Sequence, residues 1–279
     1  NSCARLSRSM SPVRRSIDGA GSFRNGVTHM AQDFIPYSRQ EISAADIAAV
    51  TELLRSDYLT QGPVGGAFED AFAKRHQAAH AIACANATGA LHIACLALGV
   101  GPGSRVWTSP ISFLASANCA LYCGATIDFV DIDPRTRNMS LAALATQLET
   151  AERDGTLPTV VIPVDFAGLP CDLAEIRELA DKYRFKILED ASHATGASYR
   201  GRPVGSGHAH ATVFSFHAVK IVTTAEGGMV VTEDDERIAA TRARVAPVHH
   251  DQPRLRRRDC DPPLRRVRAH PFPEHARVG

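Results

Sequence analysis

The run Ser215-Phe-His-Ala-Val-Lys220-Ile-Val-Thr-Thr-Ala-Glu-Gly-Gly228 carries one lysine between an apolar stretch, Ala211–Phe216, that reads as a strand and a polar turn ending in two glycines. Ser215 places a hydroxyl five residues before Lys220. A lysine amine held at a strand end with little competing charge can shed its proton part of the time. Schiff-base chemistry with an aldehyde requires that neutral amine. Upstream, Ile187-Leu-Glu-Asp190-Ala-Ser-His193 sets a carboxylate just past an apolar strand. A carboxylate there can pair with a protonated pyridine nitrogen. Together, the lysine and the carboxylate point to pyridoxal 5'-phosphate (PLP), whose aldehyde joins a lysine and whose ring nitrogen pairs with an Asp or Arg.

That cofactor needs further contacts. Its phosphate wants backbone amides at a helix start and hydroxyls nearby. Asn86-Ala-Thr-Gly-Ala90 lies at a strand-to-helix turn, with Thr88 and Gly89 as donors and Ser215 as a further hydroxyl. A capping Thr and a turn Gly would look the same. Phe113, at the start of a helix after Trp107-Thr-Ser-Pro110, can cover the ring, although a core Phe is the commoner explanation of such a residue. Asp190 taken alone also reads as a helix cap. His193 either reaches the phenolic oxygen or packs as a structural histidine.

These residues need elements to hold them, and from Ser43 onward the text alternates between helix and strand. Ser43 caps a helix with apolar positions Ile47, Val50, Leu53 and Leu54. Leu59-Thr-Gln-Gly-Pro63 ends it, and a helix through Phe68 and Phe72 follows. Strands are expected at Ala81–Ala85, Arg105–Thr108, Thr126–Val130, Thr159–Val164, Phe185–Leu188, Ala197–Tyr199, Ala211–Phe216 and Met229–Thr232. Helices are expected at Thr88–Leu98, Ser112–Cys123, Leu141–Glu152 (capped by Ser140) and Leu173–Tyr183. This alternation predicts an α/β fold with a mainly parallel sheet covered on both faces. Ligands bind such sheets at the carboxyl ends of the strands, where Asn86, Ser109, Asp190 and Ser215 fall.

Composition narrows the function classes. The chain has 279 residues, 44% hydrophobic and 22% charged, with a net charge of +1, which gives no reason to expect nucleic acid or an anionic membrane as partner. Seven scattered cysteines without a C-x-x-C pair argue against a disulfide framework and for a reducing, cytoplasmic setting. Cys119 and Cys123, one helical turn apart, read as buried small apolar residues rather than metal or redox groups. The uncharged runs Ala81–Val100 and Val106–Ile127 approach membrane-span length, but their polar residues cluster where strand would turn into helix. No G-x-G-x-x-G follows the first strand, so a nicotinamide-dependent oxidoreductase is disfavoured.

Three segments are expected. Residues 1–30, rich in Arg and Ser, read as a disordered or spurious extension ahead of Met30, with no apolar core for a secretory signal. Residues 31–245 read as the cofactor-binding domain. Residues 246–279, with Arg254-Leu-Arg-Arg-Arg258, read as an irregular Arg/Pro-rich tail, for which nucleic-acid binding is the minor alternative.

The ordered set N-A-T-G-A-L-H, W-T-S-P-I-S-F, E-D-A-S-H-A, S-F-H-A-V-K and T-T-A-E-G-G resembles the DegT/DnrJ/StrS family of PLP-dependent nucleotide-sugar aminotransferases over about Ile35–Val245. Ile35–Ser38 and Ser56–Pro63 are similar to its pseudaminic-acid branch. The resemblance implies the large domain of a PLP-dependent transferase of the aspartate aminotransferase type (fold type I), with the small C-terminal domain missing. It implies that Lys220 bonds the cofactor and moves protons, Asp190 holds the pyridinium, Phe113 stacks on the ring, and Thr88, Gly89 and Ser215 hold the phosphate. Tyr37, Asp57, Tyr58, Leu59, Thr60, Ala87 and Ser215 would contact the sugar nucleotide. The implied reaction moves an amino group from glutamate to the 4-keto group of a UDP-linked deoxy sugar, in a homodimer. Family members run about a hundred residues further, so a truncated, inactive product is the alternative. A sugar dehydratase of the family would carry His in place of Lys220. Asp165, in Pro163-Val-Asp-Phe-Ala-Gly168, stands where many relatives have His.

Overall fold

A computed structural model describes residues 40–59, 62–236 and 240–242. The expectations for residues 1–30 and 246–279, and for Tyr37 and Thr60, lie outside the described residues. The helices are α1 (Ala44–Arg55), α2 (Pro63–His76), α3 (Ala87–Ala97), α4 (Ala115–Tyr122), α5 (Leu141–Asp154) and α6 (Leu173–Tyr183). The strands are β1 (His80–Cys84), β2 (Arg105–Thr108), β3 (Thr126–Phe129), β4 (Val160–Ile162), β5 (Lys186–Asp190), β6 (Ser198–Tyr199), β7 (Arg202–Pro203), β8 (Ala211–Ser215) and β9 (Gly228–Thr232).

Seven strands form one sheet in the order β1-β9-β8-β5-β4-β2-β3, while β6 and β7 pair separately. All neighbours in the large sheet run parallel except β9, which is antiparallel to β1 and β8. The fold is therefore the expected mainly parallel α/β type. β9 is antiparallel to β8 because the connection between them, residues 216–227, turns back without the helix that a parallel crossover carries.

Successive strand residues point to opposite faces. Val106, Val160, Ile162, Leu188, Val213 and Val230 face α3 and α4. Trp107, Val161 and Ile187 face α5 and α6, and Phe214, Met229 and Val231 join Phe72 of α2 on that same side. Three layers result, with a core on each side of the sheet. Each fully buried Leu, Ile or Phe there contributes roughly 1.5–3 kcal/mol.

The helix starts follow local chemistry. Ser43 forms a capping box, its hydroxyl accepting from Asp46 N–H while the Asp46 carboxylate accepts from Ser43 N–H. Ser140 Oγ accepts from Ala143 N–H at 3.2 Å, and Asn86 Oδ1 from Gly89 N–H at 2.8 Å. The two uncharged runs are β1–α3 and β2–α4–β3. No helix among the described residues is long and apolar enough to cross a membrane.

Four local details differ from expectation. The helix placed at Ser112 begins at Ala115, because Ser112 and Ser116 bond each other (2.5 Å) and the chain enters through three-residue turns, Ser116 N–H to Phe113 O and Ala117 N–H to Leu114 O. Asp190 is the last residue of β5 rather than just beyond a strand, because Asp190 N–H still donates to Pro163 O at 2.9 Å. β7 and a 3-10 turn at Phe166–Gly168 are too short to show a period in sequence. The apolar residues Ile47, Val50 and Leu54 of α1 have the expected helical spacing yet are exposed.

Candidate active site

At the carboxyl ends of β1, β4, β5 and β8 lies a cavity of about 280 Å³. One wall is Asp190, 4% exposed. Oδ2 of Asp190 accepts from Ser116 Oγ of α4 at 2.6 Å, and Oδ1 from Ser192 Oγ at 2.6 Å and Ser192 N–H at 3.2 Å. The carboxylate is thus clamped from both sides, with its remaining acceptor capacity available to the cavity. Such hydrogen bonds to a charged group stabilise it and fix its direction.

The opposite side is set by Lys220. The loop from β8 to β9 is closed by Phe216 N–H to Gly227 O at 2.9 Å and Thr224 N–H to Phe216 O at 3.0 Å. Thr223 Oγ1 adds a bond to Phe216 O at 3.1 Å, and Lys220 N–H reaches His217 O at 2.9 Å. The amine therefore sits in a braced turn. Partial burial holds its pKa below the ordinary lysine value, opposed by the negative charge of Asp190. That shift enlarges the neutral, nucleophilic fraction. His193 lines the same cavity and titrates below the usual histidine range, first through burial and then through the Lys220 charge.

The third part is the start of α3. Its first backbone N–H groups have no partner within the helix backbone. Ala87 and Thr88 line the cavity there, beside Ser215. The register explains the meeting: Cys84 of β1 and Ser215 of β8 both pair with Gly228 of β9. A Cβ at Gly228 would stand 2.6 Å from Ala87 N and from the Asn86 carbonyl carbon, so only glycine lets β9 approach this turn.

These features fit PLP. A carboxylate, a lysine of lowered basicity and a helix N-terminus beside hydroxyls converge on one cavity, matching the ring nitrogen, aldehyde and phosphate of that molecule. Phe113 lies in the same cavity, 69% exposed, on the bend before α4, and presents an open ring face.

Of the expected site residues, the fold brings together Ala87, Thr88, Phe113, Asp190, His193, Ser215 and Lys220. Gly89 is a correction in detail: it is not among the cavity lining, and its N–H is spent on Asn86 Oδ1 as part of the helix cap. Asp57, Tyr58 and Leu59 lie on the connection from α1 to α2, outside the cavity lining, with Tyr58 and Leu59 exposed. Residue-by-residue reading did not single out Ser116 or Ser192. Ser192, two residues after Asp190, was detectable as a local Asx-type partner. Ser116, 74 residues away, was not.

Comparisons with known proteins bear on this arrangement. A model of the DegT/DnrJ/EryC1/StrS aminotransferase family matches residues 40–255. Among solved structures, the chain is similar to Helicobacter pylori PseC, an aminotransferase involved in the biosynthesis of pseudoaminic acid (34% identity, 75% of this chain and 54% of that one, TM-score 0.67). It is similar to Spr1654 of Streptococcus pneumoniae in its PLP form (31% identity, 75% and 57% covered, TM-score 0.68). It is also similar to DesI, solved in the presence of its TDP-sugar product (32% identity, 77% and 53% covered, TM-score 0.68). The chain thus spans about half the length of the solved structures it matches.

Proposed function

The chain belongs to the DegT/DnrJ/EryC1/StrS aminotransferase family, and on that premise we propose that it is the large domain of a PLP-dependent aminotransferase that moves an amino group from glutamate to the 4-keto group of a UDP-linked deoxy sugar of the pseudaminic-acid type. The observation that carries this reading is the presence of Lys220 and Asp190 on one cavity whose third wall is the N-terminus of α3. Similarity to PseC supports the sugar class, and similarity to DesI supports a nucleotide-linked sugar more broadly.

PLP supplies an aldehyde for the amine and a cationic ring that stabilises negative charge at the reacting carbon. The residues divide the remaining work. Asp190, fixed by Ser116 and Ser192, accepts a hydrogen bond from the protonated ring nitrogen. Thr88, the backbone at Ala87 and Ser215 hold the phosphate at the helix N-terminus. Phe113 would stack on one ring face, and His193 would serve the phenolic oxygen. Lys220 Nζ would hold the cofactor through its aldehyde and would serve as the group that takes up and returns a proton at the reacting carbon. Its lowered basicity suits both tasks.

Asp57, Tyr58 and Leu59, with Ala87 and Ser215, would contact the sugar nucleotide, together with Tyr37 and Thr60. A homodimer is supported by the exposed apolar face of α1 beside Tyr58 and Leu59. A cytoplasmic setting is supported by the thiol, rather than disulfide, state of Cys84, Cys95, Cys119 and Cys171.

The test is direct. Purified protein is mixed with PLP, glutamate and a panel of UDP-4-keto sugars, and the products are identified by mass. Release of 2-oxoglutarate and a new amino sugar, both lost in Lys220→Ala, is expected. A protein that never takes up PLP sinks the reading.

A further inference from the structure

Two more carboxyl groups, Asp165 and Glu189, are buried next to Asp190, and the proposed function uses only Asp190. Asp165 and Glu189 are each 1% exposed. Glu189 precedes Asp190 on β5, so its side chain leaves the strand on the opposite face. Asp165 follows Val164, which pairs with Asp190, and Asp165 N–H donates to Asp190 O at 3.1 Å. Each of the two buried carboxyls has one engaged oxygen. Asp165 Oδ1 accepts from Cys171 N–H at 2.9 Å, and Glu189 Oε2 from Thr212 Oγ1 at 2.6 Å. The other two oxygens, Asp165 Oδ2 and Glu189 Oε1, are buried with no hydrogen-bond partner among the described residues. Because Val164 pairs with Asp190, the side chains of Asp165 and Glu189 fall on the same, opposite face, diagonally across that bridge, and each shifts the titration of the other. Two ionised carboxylates in this place would repel and leave both oxygens unpaired. One proton turns them into a donor and an acceptor.

The geometry points to a proton-sharing carboxyl pair in which Glu189 donates to Asp165, and which serves as a positioning pair for Asp190. Burial pushes both carboxyls up, Asp165 to about 7 and Glu189 well above the usual carboxylate range, the latter reinforced by the charge of Asp165. The titratable groups facing the pair are Asp190, which raises both, and the Cys171 thiol, itself pushed up by burial; Lys220 and His193 lie across the cavity. As pH rises past neutrality Asp165 releases its proton to solvent while Glu189 keeps its own. The pair then carries one negative charge behind Asp190. That charge strengthens the hold of Asp190 on a cationic ring nitrogen, so the pair makes cofactor retention rise with pH. This last step rests on the proposed function; the pair itself does not.

The experiment separates the two. Infrared spectroscopy of the cofactor-free protein reads buried protonated carboxyls. Wild type is expected to lose about half of that band between pH 6 and pH 8. D165N should keep a smaller, pH-independent band from Glu189, and E189Q a band that vanishes over the same range. A wild-type protein with no such band at either pH overturns the pair, even if neither variant folds. PLP titration by absorbance then reads the positioning role. The affinity ratio of wild type to D165N should be near one at pH 6 and about threefold to tenfold at pH 8. A ratio that does not change with pH overturns positioning. If wild type takes up no PLP, the proposed function and the positioning role both fall, while the infrared bands still decide the pair.

Discussion

Ser116 Oγ donates to Asp190 Oδ2 at 2.6 Å, joining the first turn of α4 to the last residue of β5. The bond ties the direction of the proposed ring-nitrogen partner to the packing of a helix rather than to the strand alone.

Ser116→Ala should therefore weaken PLP uptake. One oxygen of a carboxylate that is 4% exposed loses its donor, which costs about 1–3 kcal/mol. We expect PLP affinity to fall about tenfold, measured by absorbance titration. Ser192→Ala should cost less, because Ser192 N–H still donates to Oδ1 at 3.2 Å. Unchanged affinity in Ser116→Ala would show that the clamp does not orient Asp190.

Gly228→Ala should damage both fold and site. The added Cβ meets Ala87 N and the Asn86 carbonyl at 2.6–2.8 Å, and these are backbone atoms that cannot swing aside. Overpacking of this kind costs about 1–3 kcal/mol. It also displaces the turn proposed to hold phosphate, so thermal unfolding should shift down and PLP uptake should fall together. Gly65→Ala provides the contrast: it lies within α2 with open space around it and should raise stability by about 0.5–1 kcal/mol.

Lys220 should be the site of borohydride trapping by PLP. Its pKa is lowered by burial, so its amine is available at lower pH than that of a surface lysine. Peptide mass mapping after reduction should place the label on Lys220. Both Lys220→Ala and Lys220→Arg should abolish it, since a guanidinium stays protonated. Equal labelling of other lysines would contradict the assignment.

Stability should decline as pH rises through the slightly acidic range. Asp165 binds its proton more tightly folded than unfolded, with a value of about 7 against an ordinary 3.8. Its contribution is therefore fully present below the ordinary value and lost as pH climbs through the folded one. The unfolding free energy of wild type relative to D165N should fall by about 1.4 kcal/mol per pH unit at most over that window, then level off. Urea unfolding from pH 5 to pH 8 measures this directly. A pH-independent difference between the two proteins would refute it.

Much of the fold was legible because it is written locally. The capped starts of α1 and α5 come from Ser43 and Ser140, whose hydroxyls bond within their own turn. The limits of α6 and β2 follow directly from periodicity. Lys220 and Asp190 were readable for a related reason: their chemistry is intrinsic to residue type, and each sits beside an apolar strand that had to be buried.

Local text determined which residues can form a covalent bond to an aldehyde, hold a cation or cap a helix, because those properties depend on a residue and its near neighbours. It did not determine that Ser116 grips Asp190, that β9 must be glycine where it passes α3, or that Asp165, beyond the end of β4, shares a buried face with Glu189 of β5. Those relations depend on strand order, on the face each side chain takes and on desolvation. They exist only once the sheet has brought distant segments within a few ångströms and removed the water between them.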